Sequence, residues 1–354
     1  MNTLSGAVGA LRAPSIVALA ALVLALTAGA AQTLDLYFID VEGGQSTLIV
    51  TPAGQSLLID TGFAGNDGRD VRRIMAAARH AGITRIDYLL ITHFHSDHDG
   101  GAPELVPQLP VGTFVDHGSL VNPGTGDPAS QSRAFEAYVA VRKTGAHLEP
   151  KPGDRVPIDG VDAIVVSASG ATITAPLDSA GAPNAACAAK APDADEPFEN
   201  PRSTGIVLRY GRFGFIDLGD LTGAPLYALF CPRNLLGHAD VYLVPHHGGK
   251  DAAHPAYVSA VQPRVAVMNN GATKGGAAET FAMLHQALVA RRLEDVWQID
   301  RSRNAGARNF ADQRIANLDD ATGHWIKVSA SEDGAFQVTN SRTGASKAYP
   351  RPAR

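Results

Sequence analysis

Tyr88-Leu-Leu-Ile-Thr92 runs directly into His93-Phe-His95-Ser-Asp97-His98-Asp-Gly-Gly101, so an apolar run ends in four metal-binding side chains within six positions. Ile86 to Thr92 has the β-rich apolar pattern of a buried strand. His93 and His95 leave its end two residues apart, which places both imidazoles on one side of an extended segment. Asp97 and His98 follow where the chain turns towards Gly100 and Gly101. Two imidazoles suit one zinc-like ion, and a carboxylate with an imidazole suits a neighbouring one. A lone histidine is usually a solvated loop residue, whereas His-x-His-x-Asp-His at the mouth of a strand seldom arises by chance.

The same arrangement recurs along the chain. Ser56 to Asp60 reads as a strand delivering Asp60, and Val111 to Val115 as one delivering Asp116-His117. Ile206 to Tyr210 and Phe213 to Leu218 form a hairpin about Gly211-Arg212 that delivers Asp220, while Val241 to Val244 delivers His246 and His247. Val265 to Met268 ends in Asn269-Asn-Gly271. Asp60, His93, His95, Asp97, His98, Asp220 and His246 therefore all lie just past predicted strand ends. Strand ends of one sheet system converge on one rim, and distant residues can enclose ions there. Helical spacing over Asp70 to His80, Phe135 to Lys143 and Ala278 to Ala290 alternates with these strands. The economical architecture is one α/β domain over residues 32–354. Within it, 119–130 reads as a loop, 170–201 as an insertion loop, and 324–340 as a closing hairpin about Glu332-Asp-Gly334. His285, on the last helix, is expected on the surface or in packing.

The 354 residues, 45% of them hydrophobic, are ample for a large core. Residues 1–31 have the form of a secretory signal: Arg12, an apolar run from Ile16 to Leu26, and the small-residue site Ala28-Gly-Ala30. The run is shorter than the roughly 20 residues of a spanning helix, and no later stretch can span. The expected location is periplasmic or secreted. In an oxidising compartment the two cysteines, Cys187 and Cys231, are candidates for a disulfide. A net charge of −5 argues against a nucleic-acid binder, so a small-molecule or phosphodiester substrate is expected. Arg301, Arg303 and Arg308 form a loose basic cluster able to meet an anionic substrate if their loop covers the site. No Gly-x-Ser-x-Gly and no phosphate-cradling loop is present.

These motifs resemble the metallo-β-lactamase-fold hydrolases. Leu57-Leu-Ile-Asp60-Thr-Gly62, the His93 to His98 motif, Gly219-Asp220 and Pro245-His246-His247-Gly-Gly match that family's elements in order. Phe38-Ile-Asp-Val-Glu-Gly-Gly-Gln45, Asn200-x-x-Ser203 and Val244-Pro-His-His-Gly248 are most similar to the periplasmic hydrolase domain of the ComEC-type competence proteins. The resemblance implies a four-layer αββα sandwich with two zinc ions, manganese or iron being alternatives. It implies His93 and His95 on the first ion, Asp97 and His98 on the second, and Asp220 bridging both, so that Asp97 and Asp220 carry the chemistry. His246 or His247 would complete the second site, and Asp60 would hold a ligand imidazole in its tautomer. The family commonly places a third histidine for the first ion before the Gly-Asp element, yet no histidine occurs from Leu148 to Gly237. His117 is the leading substitute, with His147, or Asn200 and Ser203, as alternatives. A second departure is Glu42-Gly-Gly-Gln-Ser46 where the competence proteins carry Gly-Gln-Gly-Asp.

The implied function is an exported zinc-dependent hydrolase using a metal-activated water on an ester-type bond: phosphodiester, carboxylic ester, lactone or lactam. The alternatives are an iron-binding redox member of the same fold and a catalytically inactive binding module.

Overall fold

The computed structural model describes residues 1–3, 6, 33–121, 128–188 and 198–351. Met1–Gln32 is a unit distinct from Thr33–Arg354, and the expected signal segment falls almost wholly outside the described residues. No helix among those described is long and apolar enough to cross a membrane.

The first half of the domain runs β1 (Leu34–Ile39), β2 (Thr47–Val50), β3 (Ser56–Ile59), α1 (Arg69–His80), β4 (Ile86–Leu90), α2 (Ala102–Leu105), β5 (Val111–Val115), α3 (Pro128–Arg142) and β6 (Ala146–Leu148). The second half runs β7 (Arg155–Val156), β8 (Asp162–Ala168), β9 (Ala171–Thr172), β10 (Gly205–Tyr210), β11 (Phe213–Asp217), α4 (Gly223–Phe230), β12 (Val241–Leu243), α5 (Pro255–Val261), β13 (Val265–Met268), α6 (Ala278–Val289), β14 (Asp295–Asp300) and β15 (Ile315–Asn317). β16 (Trp325–Ala330), β17 (Phe336–Asn340) and β18 (Ser346–Tyr349) then return to the first sheet.

The first sheet has the order β18-β17-β16-β1-β2-β3-β4-β5-β6, and the second β15-β14-β13-β12-β11-β10-β8-β7 with β9 on β8. In each sheet an antiparallel portion passes into a parallel one: β3 to β6 are parallel, as are β11 to β15. Parallel strands with intervening helices leave their carboxyl ends on one edge, where ligands bind in such sheets. Asp60, His93, Asp220 and His246 follow those ends.

Alternation along the strands builds three cores. Leu36, Phe38, Leu57 and Leu90 point between the sheets, onto Phe215, Val241, Leu243 and Trp297, and the Phe38 and Phe215 rings meet edge to face at 5.7 Å. Tyr37, Ile39, Leu58 and Leu89 point the other way, onto Val71, Ile74, Ala77 and Ala78 of α1. Ile216, Tyr242 and Ala266 similarly meet the helices beyond the second sheet. The layers are therefore helix, sheet, sheet, helix. Central strands covered on both faces must be apolar throughout, which is why their sequences read as continuous runs.

Two expectations are corrected, the start of the second expected helix and the character of the insertion. α3 begins at Pro128, ahead of the expected Phe135, because proline suits the first turn of a helix, where its missing N–H has no partner to lose. Residues 122–127 of the expected 119–130 loop, and 189–197 of the expected insertion, lie outside the described residues. The described part of that insertion is tied down: it carries β9, a bridge from Pro183 to Arg233 and a disulfide joining Cys187 to Cys231. β14 also escapes the apolar pattern because Asp295 is a buried acid, met by Arg314, Lys347 and the Tyr349 hydroxyl at 2.6 Å.

Candidate metal centre

Asp60 is the anchor of the site. It sits past β3 with a φ of 60°, fully buried, a left-handed conformation that short polar side chains tolerate best. Its Oδ1 accepts from the Thr92 amide at 2.7 Å, and its Oδ2 accepts from the Thr92 hydroxyl at 2.8 Å and from His98 Nδ1 at 2.7 Å. Since Nδ1 of His98 is committed to Asp60, Nε2 is the atom presented to the rim.

That Nε2 lies 3.2 Å from Asp97 Oδ2 and 3.2 Å from Asp220 Oδ2. His247 Nε2 approaches the same two oxygens, at 3.2 Å and 3.1 Å. Asp97, His98, Asp220 and His247 are all buried, and each offers one ligand atom within 4.8 Å of the others. The close approach of the β1–β2 turn fixes Asp97: Gln45 N donates to its carbonyl at 3.1 Å, and a Cβ on Gly44 would lie 2.5 Å from that oxygen.

His93 Nε2 lies 2.8 Å from His95 Nδ1 and 4.0 Å from Asp220 Oδ2. His246 Nε2 stands 3.8 Å from that oxygen and 3.3 Å from Asn200 Nδ2, with its Nδ1 held by Asp251 at 2.8 Å. Asp220 thus stands between the four-residue cluster and a second group made by His93, His95 and His246.

Adjacent residues of an extended segment face opposite ways, and on that basis only one of His246 and His247 could serve. The segment is a tight turn instead, with φ of 50° and 54° at the two histidines, so both imidazoles reach Asp220.

His117 and His147 are not at the cluster. His117 Nε2 pairs with Glu199 Oε2 at 2.9 Å while its ring packs on Phe94, and His147 Nε2 bonds Asp116 at 2.9 Å. A strand end places a residue on the rim but not at its centre; His117 is held by a buried carboxylate 82 positions away. Ser203 is fully buried with no partner for its hydroxyl, and its carbonyl accepts from Ser167. His285 stacks on Phe310 and meets the Arg308 carbonyl, as a packing residue would. Arg301 pairs with Asp312.

Charge in the cluster is finely opposed. Burial works against ionisation of Asp220, yet His247, His98 and His246 hold it well below the usual carboxylate range. Burial is likewise outweighed at Asp97 by Lys274 and His98, and at His98 by Asp220 and Asp97, which raise it well above an ordinary imidazole. His93 is pushed well down by burial and its imidazole neighbours. Two buried carboxylates thus draw whatever positive charge is within reach. The Lys274 ammonium contacts Asp97 Oδ2, and Asp220 Oδ1 is buried with no hydrogen-bond partner. Imidazole and carboxylate donors with an orphaned oxygen fit a first-row divalent ion.

Residues 39–181 match the family model described as Metallo-beta-lactamase superfamily. The fold is that of the metallo-β-lactamases. The chain is 37% identical over 67 residues to an atrochrysone carboxyl ACP thioesterase of Aspergillus terreus, 19% of this chain and 20% of that one. It is 39% identical over 70 residues to a hydroxyacylglutathione hydrolase of Alkalilimnicola ehrlichii, 20% of this chain and 27% of that one. The chain therefore spans about a fifth of the first relative's length and about a quarter of the second's. Among solved structures, a metallo hydrolase from Ignicoccus hospitalis is similar with a TM-score of 0.42 and 15% identity, over 77% of this chain and 96% of that one.

Sequence reasoning missed Lys274, the Glu199 partner of His117, and a buried chain in which Asn269 donates to Gln45 and Gln45 donates to Asp217. Asn269, past a predicted strand end, and Gln45, within the Phe38 to Gln45 motif, carried a signal. The others are isolated residues whose partners lie far away in the chain.

Proposed function

We propose that the protein is an exported metal-dependent hydrolase of an ester-type bond, with zinc as its metal. The observation carrying this is the convergence of Asp97, His98, Asp220 and His247 on one point at the carboxyl ends of the strands. These four would hold one ion. His93, His95 and His246 would hold a second, His246 taking the part of the histidine absent from residues 148–237, and Asp220 would serve both. Such ions, when bound, supply a Lewis acid and lower the pKa of a bound water towards neutrality.

The chain's own residues do the rest. Asp60 holds the His98 ring in the tautomer that leaves Nε2 free, and Asp251 does the same for His246. Asn200, beside His246 at the half-buried edge of the site, is placed to donate to a substrate oxygen. Export accords with the amino-terminal signal pattern and with the disulfide. The motif resemblance to the competence-protein hydrolase domain, read from the sequence alone, puts phosphodiesters among the substrates to test, and the name of the Aspergillus terreus relative adds thioesters.

The test is metal content per chain, with hydrolysis of bis-p-nitrophenyl phosphate, an aryl ester, an acyl thioester, a lactone and a lactam. Chelator-sensitive turnover of one of these, with two zinc ions bound, is expected. Protein that retains no metal after zinc loading would sink the proposal.

A further inference from the structure

A second group of ligand-type side chains lies outside the histidine cluster. Asp40 follows β1, Glu42 sits in the β1–β2 turn, and Asp300 closes β14. One carboxylate oxygen from each lies within 4.8 Å of the others. Asp40 and Asp300 are buried, at 0% and 4% exposure, and Glu42 is held with a φ of 57°, a left-handed conformation that a non-glycine residue keeps only where its surroundings impose it.

The cation present does not balance these acids. Arg73, on α1, reaches Asp40 Oδ2 at 2.8 Å and Glu42 Oε1 at 2.9 Å. Asp300 has no such partner: its Oδ2 is buried without a hydrogen bond. With all three carboxylates ionised, as ligands to a cation must be, the one guanidinium leaves two formal negative charges, the complement of a divalent cation. Burial, then Asp40 and Glu42, push the Asp300 carboxyl up to about 10, so near neutral pH it carries a proton that a bound cation must displace.

We propose that Asp40, Glu42 and Asp300 form a binding site for a hard divalent cation of the calcium type, separate from the histidine centre. An all-oxygen donor set selects calcium, magnesium or manganese over zinc, and calcium tolerates irregular geometry completed by water. Beside the site, Asp300 shares a cleft with Asn317, Asp319 and Asp320, which supplies an acidic approach and room for the remaining waters. The consequence reaches the candidate centre, because the turn carrying Glu42 continues into Gly44 and Gln45, which brace Asp97. A cation there would tie β14 to that turn.

The test uses the full, zinc-loaded protein titrated with calcium chloride, read by thermal unfolding and by isothermal calorimetry. Calcium at about 100 times its Kd is expected to raise Tm by about 4 °C, with zinc content unchanged. Asp300→Asn should lose the calcium response and keep its zinc. No calcium response up to 10 mM, about ten times the Kd of the weakest natural calcium sites, or a response of equal size in Asp300→Asn, would overturn the proposal, the latter placing calcium elsewhere. Should Asp300→Asn fold poorly, Glu42→Gln at the half-buried ligand must abolish the response instead.

Discussion

Asp60→Asn isolates the role of a residue that would touch no metal. The Thr92 amide donates to Oδ1 at 2.7 Å, so in the variant that position must remain an oxygen and the new Nδ2 must occupy the place of Oδ2. There it faces the Thr92 hydroxyl at 2.8 Å and His98 Nδ1 at 2.7 Å. An amide N–H donates to Nδ1, which forces the imidazole proton onto Nε2, the atom facing Asp97 and Asp220. The ligand is then blocked by its own tautomer. Loss of such a supporting contact lowers metal affinity about 10- to 100-fold, equivalent to about 1.4–2.7 kcal/mol. Asparagine keeps the shape and accepts the left-handed backbone of this position, so the fold should survive. Zinc affinity measured by competition with a chromophoric chelator is the assay, with circular dichroism as a check on folding. A folded Asp60→Asn protein that binds zinc within twofold of the wild type would refute the tautomer argument.

Asp217 is buried and its carboxyl is pushed up to about 7 by burial, with Gly219 N–H and Gln45 opposing. Between about pH 4 and 7 the folded state then binds more protons than the unfolded one, so this group makes stability fall as pH rises through that window and stay level above it. Asp217→Asn should flatten that fall and be at least as stable as the wild type at pH 8 in urea unfolding; an unchanged pH profile would count against it. His117→Ala leaves Glu199 buried without its partner and should cost about 3 kcal/mol of stability while leaving zinc content intact, whereas loss of one zinc would restore His117 as a ligand. Lys274→Met removes a competitor for Asp97; since the ammonium is 41% exposed, zinc affinity should rise by no more than about fivefold, and a fall would make Lys274 a support of the site.

Much of this protein is legible because its chemistry is local. His93, His95, Asp97 and His98 are bound by spacing to one strand end, and the buried parallel strands announce themselves as apolar runs because both faces are covered. Those two facts determined an α/β domain and the rim on which the site lies, while the four-layer αββα arrangement came from the family resemblance of the motifs. What the tertiary structure decided depends on backbone conformation or distant partners. Two consecutive left-handed residues let both His246 and His247 face Asp220, which no rule for extended segments anticipates. His117 is drawn aside by Glu199, and Lys274 reaches Asp97 across 177 positions. Asp40, Glu42 and Asp300 meet only because β1 and β14 belong to sheets packed face to face. Periodicity carries the burial of a residue's own neighbours, whereas the pairing of isolated charges is set by how the two sheets close on one another.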